Sequence, residues 1–346
     1  MTNGVAFEGQ EAVAPAAAHV NYDHPLERLG DPYPSLRGLW EQVAPEGTLT
    51  VRFGFPGPFR LRPADVANLL RLASFEPVSQ HRLGKGRAVV ARRAARVPAE
   101  LSCTVVVPCR NEIDNVANLV GRVPAMGTAT ELLFVDGASD DGTPDRVDEL
   151  IRSNPARDIK LLRQEGNTGK AGATFQGFAA ASGDVVMILD ADMTVRPEDL
   201  PRFFLALAEG VGTFANGTRM TYPMAHGAMP GLNNAGNKAF SHYLSWLIGS
   251  RITDTLCGTK AVFKRDIPAL LKARERFGGH DPWGDFDLLL GAALIGLTVV
   301  DVPIRYEARE AGESKMRPFA HGTALARTCL AGARRLKLER RRTPVT

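Results

Sequence analysis

Two carboxylates separated by a single residue follow one of the most apolar runs of the chain. Residues 185–189 are typical of a buried parallel strand, and Asp190 and Asp192 come directly after it. Side chains at the carboxyl end of such a strand reach the crevice where open α/β sheets bind ligands. Two hard oxygen ligands suit Mg²⁺ or Mn²⁺ bridging a diphosphate. The motif predicts a metal-bound nucleotide, although a polar turn after a strand would explain the same two residues.

Three more loops follow predicted strands or precede predicted helices. Arg110-Asn111-Glu112 follows the strand at 104–108, and Asp136 begins an acidic, glycine-bearing loop after the strand at 131–135. Residues 165–172 carry three glycines and Lys170, which can meet a diphosphate, but their spacing does not fit a P-loop. A helix cap, an Asp/Gly turn and a helix-initiating turn are the respective structural explanations.

The elements that must position these loops alternate along the chain. Strands are predicted at 104–108, 131–135, 159–163 and 185–189, with helices at 115–123, 143–153 and 170–180 between them. Such alternation predicts right-handed βαβ crossovers and a mostly parallel sheet, which belongs to the α/β class.

Taken together, the loops resemble the donor half of family 2 glycosyltransferases with the GT-A fold. The pieces are Val-Pro-Cys-Arg-Asn-Glu, Val-Asp-Gly-Ala-Ser-Asp-Asp-Gly-Thr, Asn-Thr-Gly-Lys-Ala-Gly and Leu-Asp-Ala-Asp, in that order over about 90 residues. The resemblance implies a nucleotide-sugar donor and a divalent metal, Mg²⁺ or Mn²⁺, held by Asp190 and Asp192. The donor-binding residues that it implies are Pro108, Arg110, Asn111, Glu112, Asp136, Gly137, Ser139, Asp140, Gly169, Lys170, Asp190, Ala191, Asp192 and Arg219.

Asp285 and Asp287 precede an apolar helical run. A carboxylate here could take the proton from an acceptor hydroxyl as it attacks the anomeric carbon. The same residues would also suit a helix N-terminus, where the helix dipole stabilises negative charge. The match to the family makes Asp287 the first candidate for the catalytic base and Asp285 the second.

A charged loop after residues 302–304 resembles the polyprenyl-phosphate (dolichol-phosphate-type) branch of the family. Its Arg-and-Gly-x-Ser-Lys pattern would close over phosphate, and residues 216–224 and 254–260 resemble that branch too. The resemblance implies a lipid-phosphate acceptor. The single Asp-x-Asp motif and a lone carboxylate base favour in-line attack with inversion at the anomeric carbon. A soluble small-molecule hydroxyl acceptor is the alternative, and a nucleotidyltransferase or a sugar-nucleotide-binding protein is a second. The loop residues are Arg305, Arg309, Ser314 and Lys315.

Composition limits the remaining classes. The net charge of +4 over 346 residues is too small to argue for nucleic acid. The N-terminus lacks a signal-peptide pattern, and no run reaches the roughly 18 apolar residues of a spanning helix, so we expect a cytoplasmic protein. Six of the nine residues 334–342 are Lys or Arg, which predicts peripheral contact with an anionic membrane.

The chain is expected to have four parts. Residues 1–33 are predicted to be poorly ordered, 34–98 to form a small α/β module with a linker, 99–318 the glycosyltransferase domain and 319–346 a basic C-terminal helix. The module resembles the C-terminal half of a class I S-adenosylmethionine methyltransferase. No glycine-rich nucleotide loop precedes it, which indicates a scaffold without methyltransferase activity.

Overall fold

The structure is a computed structural model that describes residues 16–56, 59–96, 100–166, 169–223, 231–277, 281–306 and 318–339. The chain divides into two compact units, Met1–Ala95 and Arg96–Thr346.

The first unit is a four-stranded sheet with two helices. Strands β1 and β2 are parallel, and β4 lies antiparallel between β2 and β3 in the order β1-β2-β4-β3. Its elements are β1 (Ala17–Pro25), α1 (Pro32–Gln42), β2 (Val43–Phe53), α2 (Pro63–Leu72), β3 (Phe75–Leu83) and β4 (Gly86–Arg93).

Strand β1 corrects the expectation that residues 1–33 are poorly ordered. Its side chains are all exposed or half-exposed, so the sequence carries no strand-like burial pattern. Backbone pairing with β2 orders this edge strand instead, and Leu26 just after it is fully buried. Residues 1–15 lie outside the described part of the chain.

The second unit alternates strands and helices as predicted. Its elements are β5 (Cys103–Cys109), α3 (Ile113–Arg122), β6 (Thr130–Asp136), α4 (Thr143–Ser153), β7 (Asp158–Arg163), α5 (Gly169–Ala180), β8 (Val185–Ile188), α6 (Leu200–Ala208), β9 (Phe214–Thr218), α7 (Gly231–Ile248), β10 (Lys260–Phe263), α8 (Ile267–Arg274), α9 (Asp285–Leu294), β11 (Val299–Pro303) and α10 (Pro318–Ala333), which continues as a π-helix over Arg334–Glu339.

The seven strands form one sheet in the order β11-β9-β10-β8-β5-β6-β7. All its described strands run parallel except β10, which is antiparallel to both β8 and β9. Every residue of the central strands β5 and β8 is buried, as expected for a sheet covered on both faces. The parallel strands deliver their last residues to one edge, and the reversed β10 delivers its first residue, Lys260, to that same edge.

Helices α7, α9 and α10 pack together on one side of the sheet. A Cβ added to Gly332 of α10 would lie 2.9 Å from Leu290 of α9 and 3.1 Å from Leu247 of α7, so glycine permits this close approach. None of the described helices is both long enough and apolar enough to cross a bilayer.

Candidate active site

The centre of the site is an ion pair between Lys170 and Asp190. Lys170 lies in the first turn of α5, Asp190 follows β8, and their Nζ and Oδ1 atoms are 2.6 Å apart. Burial opposes the charge on Lys170, but the carboxylates of Asp190 and Asp285 outweigh it and raise the pKa of the ammonium above its usual range. A permanent cation therefore lies against the first carboxylate of the Asp-x-Asp motif.

Gly258 lies against this pair from the loop that precedes β10. A Cβ at position 258 would lie 2.4 Å from Oδ2 of Asp190 and 2.9 Å from Nζ of Lys170. Any other side chain would displace one or both of these groups, so glycine serves the close approach rather than a special backbone conformation.

Asp192, the second carboxylate, is held by its own turn. Its Oδ1 accepts hydrogen bonds from the backbone N–H of Thr194 at 3.1 Å and from the Thr194 hydroxyl at 2.9 Å. Met193 between them adopts a left-handed conformation with φ of 51°, and Ala191 is buried. This turn fixes the direction in which both carboxylates leave the strand.

The residues present fit a divalent cation. Asp190 and Asp192 supply hard oxygen atoms, and the glycine at position 258 places no side chain against Asp190. No group of three or more His, Cys, Asp or Glu among the described residues could hold a metal ion alone. A cation here would therefore complete its coordination with the diphosphate of a bound donor, as Mg²⁺ commonly does.

The loops after β5 and β6 are joined by reciprocal hydrogen bonds. Asn111, at φ of 58°, donates from Nδ2 to Asp140 at 2.8 Å and accepts from the Asp140 backbone N–H at 3.1 Å. Its own backbone N–H donates to Ser139 Oγ at 2.9 Å. Arg110 beside it is exposed, whereas Pro108 is buried in β5. Asn111, Ser139 and Asp140 thus shape the crevice by binding one another.

Asp136 carries the strongest local signal for a ligand. It is only 3% exposed, and its Oδ2 accepts a hydrogen bond from the Ser139 backbone N–H at 3.3 Å. Its Oδ1 has no partner within the described part of the chain. A buried acceptor without a donor costs free energy, which a ribose hydroxyl or a base N–H would recover.

Three other predicted donor residues, Glu112, Gly169 and Gly137, make local structural contacts. Glu112 accepts from Asn115 Nδ2 at 2.7 Å at the start of α3, so its carboxylate supports that helix. Gly169 has φ of 68°, and its carbonyl accepts from Gln164 Nε2 at 3.0 Å. Gly137 is buried, and a Cβ there would lie 3.3 Å from the same Gln164 side chain.

Asp285 belongs to the central cluster, as the second of the two base candidates. Its Oδ1 lies 2.6 Å from Nζ of Lys260, which is 1% exposed and also donates to the Cys257 carbonyl next to Gly258. Burial raises the pKa of Asp285 above its usual value, against the opposing charges of Lys260 and Lys170. Asp285 is thus linked through Lys260 to the loop at Asp190.

Asp287, the first candidate, is differently placed. It is 1% exposed, and neither carboxylate oxygen has a partner among the described residues. Burial and the nearby charge of Asp281 raise its pKa to about 7, and Arg274 opposes the rise. Its neighbours are residues of the α8–α9 region rather than Lys170, so the contacts favour Asp285 over Asp287 as the carboxylate of the site.

Arg219, which was predicted to bind the donor, has its side chain engaged by a buried carboxylate. Its guanidinium pairs in a two-pronged arrangement with Asp254, at 2.6 Å and 2.8 Å, and its backbone N–H binds the same carboxylate. Arg219 is 8% exposed and Asp254 is fully buried. The physical reason is the burial of Asp254, because a buried carboxylate requires a charged partner.

The predicted phosphate loop is described only at its start. Arg305 is half-buried just after β11, and the next residue, Tyr306, forms an antiparallel bridge with Val195 near the Asp-x-Asp turn. Arg309, Ser314 and Lys315 lie outside the described residues.

Gly258 and Lys260 contact the Asp190 and Asp285 cluster, although the sequence analysis did not include them among the candidate site residues. The Cys-Gly-Thr-Lys sequence preceding β10 was visible, but nothing local indicates that a strand inserted antiparallel beside β8 returns it to Asp190.

The chain is similar to known proteins of one family. The model of "Glycosyl transferase family 2" matches residues 104–268. The chain is 34% identical over 65% of its length to the dolichyl-phosphate hexose transferase of Haloferax volcanii, covering 90% of that protein. This chain belongs to glycosyl transferase family 2. It is a glycosyltransferase with the expected GT-A α/β fold.

The family 2 enzyme has a further relative of the same kind. It is 30% identical over 64% of its length to the undecaprenyl-phosphate mannosyltransferase of Micrococcus luteus, covering 89% of that protein. Among solved structures, a mannosyltransferase from Pyrobaculum calidifontis in complex with GDP-Man and Mn²⁺ aligns with a TM-score of 0.44 and 18% identity, over 73% of this chain and 79% of that one.

Proposed function

We propose that this enzyme moves a sugar from a nucleotide-diphosphate donor to a polyprenyl-phosphate acceptor, with a divalent metal and with inversion at the anomeric carbon. The observation that carries the proposal is the cluster at the sheet edge, where Asp190, Lys170, Gly258, Lys260 and Asp285 meet. Two relatives with this family's sequence are polyprenyl-phosphate sugar transferases by name, which supports the acceptor class.

The metal would be held by Asp190 and Asp192. A bound Mg²⁺ or Mn²⁺ would neutralise charge on the departing diphosphate. Lys170 would add a second positive charge at the same place, because its ammonium already lies against Asp190. The orphaned Oδ1 of Asp136 would receive the nucleoside end of the donor.

The reaction would be a single displacement. An acceptor oxygen forms a bond to the anomeric carbon from the face opposite the diphosphate, and the bond from that carbon to the diphosphate oxygen breaks. A phosphate acceptor is already anionic and has no proton to give up, so it needs little help from a base. The ion pair with Lys260 would hold the carboxylate of Asp285 in a fixed position beside the reacting centre.

Transfer to a short-chain polyprenyl phosphate from labelled nucleotide sugars tests the proposal. Asp190→Asn should abolish Mn²⁺-dependent donor binding in calorimetry, because the side chain that would bind the metal loses its charge. Asp145→Asn, which changes an exposed carboxylate outside the site, should bind the donor as the wild type does. Equal metal-dependent affinity in the two variants would refute the metal site. A product with retained anomeric configuration would refute inversion.

One observation favours a second candidate, transfer to a hydroxyl of a soluble acceptor. Asp287 carries two unpartnered oxygens and a pKa of about 7, which suits a general base. In that reaction Asp287→Asn should lower kcat by about 10²–10⁴ while donor affinity stays nearly constant. Unchanged kcat in this variant favours the phosphate acceptor.

A further inference from the structure

Helices α7 and α10 carry large apolar side chains that are exposed to solvent. In the second unit, two of the large apolar side chains with high exposure lie on these helices, namely Trp246 at 61% and Leu330 at 69%. The helices pack on each other, with the Tyr243 hydroxyl donating to the Cys329 carbonyl at 3.3 Å. Trp246 and Leu330 are thus surface residues of a rigid helix pair rather than ends of a mobile loop. We call this the α7–α10 face.

The charged residues within α7 and α10 are all basic, whereas Glu339 ends the π-helix and exposed Glu275 lies in the turn 275–277 that packs against α10. Neither helix contains Asp or Glu in its sequence. Lys337 lies 5.3 Å from the centre of the Trp246 ring. The basic residues of the helices and the segments that follow them are Lys238, Arg251, Arg327, Arg334, Arg335 and Lys337.

Spacing places the exposed residues on common stripes. His242 and Trp246 are exposed one turn apart on α7. Arg327 and Leu330 on α10 and Arg334, the first residue of the π-helix, recur at intervals of three and four. Each stripe therefore mixes a large apolar group with cations. Trp is a side chain that favours the boundary between lipid and water, and basic residues favour anionic headgroups.

We propose that the α7–α10 face docks on an anionic phospholipid surface, with Trp246 and Leu330 entering the headgroup region. Charge complementarity selects this occupant. A second copy using the same face would set cation against cation, which is unfavourable. The inference deepens the proposed function, on which its biological setting rests, because a polyprenyl-phosphate acceptor resides in a membrane.

Sedimentation of the full chain with vesicles tests the docking. Binding to phosphatidylcholine vesicles containing 30% phosphatidylglycerol should exceed binding to pure phosphatidylcholine and should weaken with salt. Arg327→Gln/Arg334→Gln/Lys337→Gln should lower the partition coefficient about fivefold per charge at low salt. Arg60→Gln/Arg82→Gln/Lys85→Gln, which changes three exposed cations of the first unit, should have little effect beyond the change in net charge.

A second pair of variants, one on the α7–α10 face and one control, tests the contribution of the apolar side chains to binding. Trp246→Ser/Leu330→Ser should lower binding, whereas Val78→Ser/Leu83→Ser, at two exposed positions of the first unit, should not. Brominated acyl chains should quench wild-type fluorescence, and Trp246→Phe should lose that quenching. Equal binding of both serine variants, or wild-type fluorescence without quenching, would overturn the inference. Competition by soluble heparin without quenching would assign the face to a soluble polyanion instead.

Vesicle binding and sugar transfer test the docking face and the proposed acceptor independently of each other. None of these variants alters the site, so turnover of a water-soluble acceptor analogue should be unchanged. If the wild-type chain does not bind anionic vesicles but transfers sugar to polyprenyl phosphate, the α7–α10 face alone is refuted. If it binds the vesicles through this face but does not transfer sugar to polyprenyl phosphate, the proposed acceptor alone is refuted.

Discussion

Gly258 is the residue whose replacement tests the site most directly. Gly258→Ala should place a methyl group 2.4 Å from Oδ2 of Asp190, displacing that carboxylate or Lys170. We expect donor affinity in the presence of Mn²⁺ to fall about 10- to 100-fold, the range for losing a charged hydrogen bond. Calorimetry measures this. Gly121→Ala is the control, because its Cβ would meet nothing within 4 Å. Equal affinity in both variants would contradict the close approach.

Asp287 makes the stability of the enzyme depend on pH. Its pKa is raised to about 7 in the folded chain, so its contribution is present at low pH and is lost as pH rises through that value. Asp287→Asn removes this loss. From pH 5 to pH 8, the free energy of unfolding of the variant should therefore rise relative to that of the wild type by about 2–3 kcal/mol.

Urea unfolding at the two pH values measures the gain. Asp145→Asn, which removes an exposed carboxylate, is the control and should follow the wild type. If Asp287→Asn also follows the wild type at both pH values, Asp287 is hydrated in solution and is not a buried, unpartnered acid.

At the scale of elements, the loop between α7 and β10 depends on a buried ion pair. Asp254 binds Arg219 at the end of β9 and also accepts from Asn237 of α7 at 3.0 Å, so it ties the loop to two elements. Asp254→Asn leaves the buried guanidinium uncompensated and should cost about 3–5 kcal/mol. Thermal and urea unfolding measure it. Glu149→Gln, at the exposed pair with Arg146, should cost less than about 1 kcal/mol.

Strands and helices were predictable where the residues that determine them are close together in sequence. The strands and helices from 103 to 188 follow apolar runs and polar loops, and the sequence placed Asp190, Lys170 and Asp136 at their ends. The antiparallel strand β10 was not predictable in this way, because its pairing with β8 depends on residues far away in sequence. The pairing of Arg219 with Asp254 was not predictable either, because burial of Asp254 leaves no trace in a motif.

For the whole molecule, the boundary at Ala95 and Arg96 predicts where the chain is cut. Trypsin at a low ratio should cleave after Arg96 before it cleaves inside either unit, because compact units protect their backbone. Mass spectrometry identifies the fragments. First cuts inside β5–β11 would show that the second unit does not hold together as one unit.

The first unit should not bind S-adenosylmethionine. Its four strands and two described helices include no glycine-rich loop before β2, where a nucleotide-binding turn would be required. Equilibrium dialysis of the full chain with labelled S-adenosylmethionine measures this, with a nucleotide sugar and Mn²⁺ as the positive comparison. Micromolar binding would give the unit a role beyond that of a scaffold.

The reversed strand β10 also sets the time at which the site is completed during synthesis. Roughly 70 residues of chain separate Asp190 from Gly258, and at about 5–20 residues per second a ribosome needs on the order of 4–14 seconds to make them. During that interval the nascent chain carries the carboxylates and Lys170 but not the loop that closes over them. A half-made enzyme therefore cannot complete its donor site, and nucleotide sugars meet a complete site only after the chain has emerged well beyond β8.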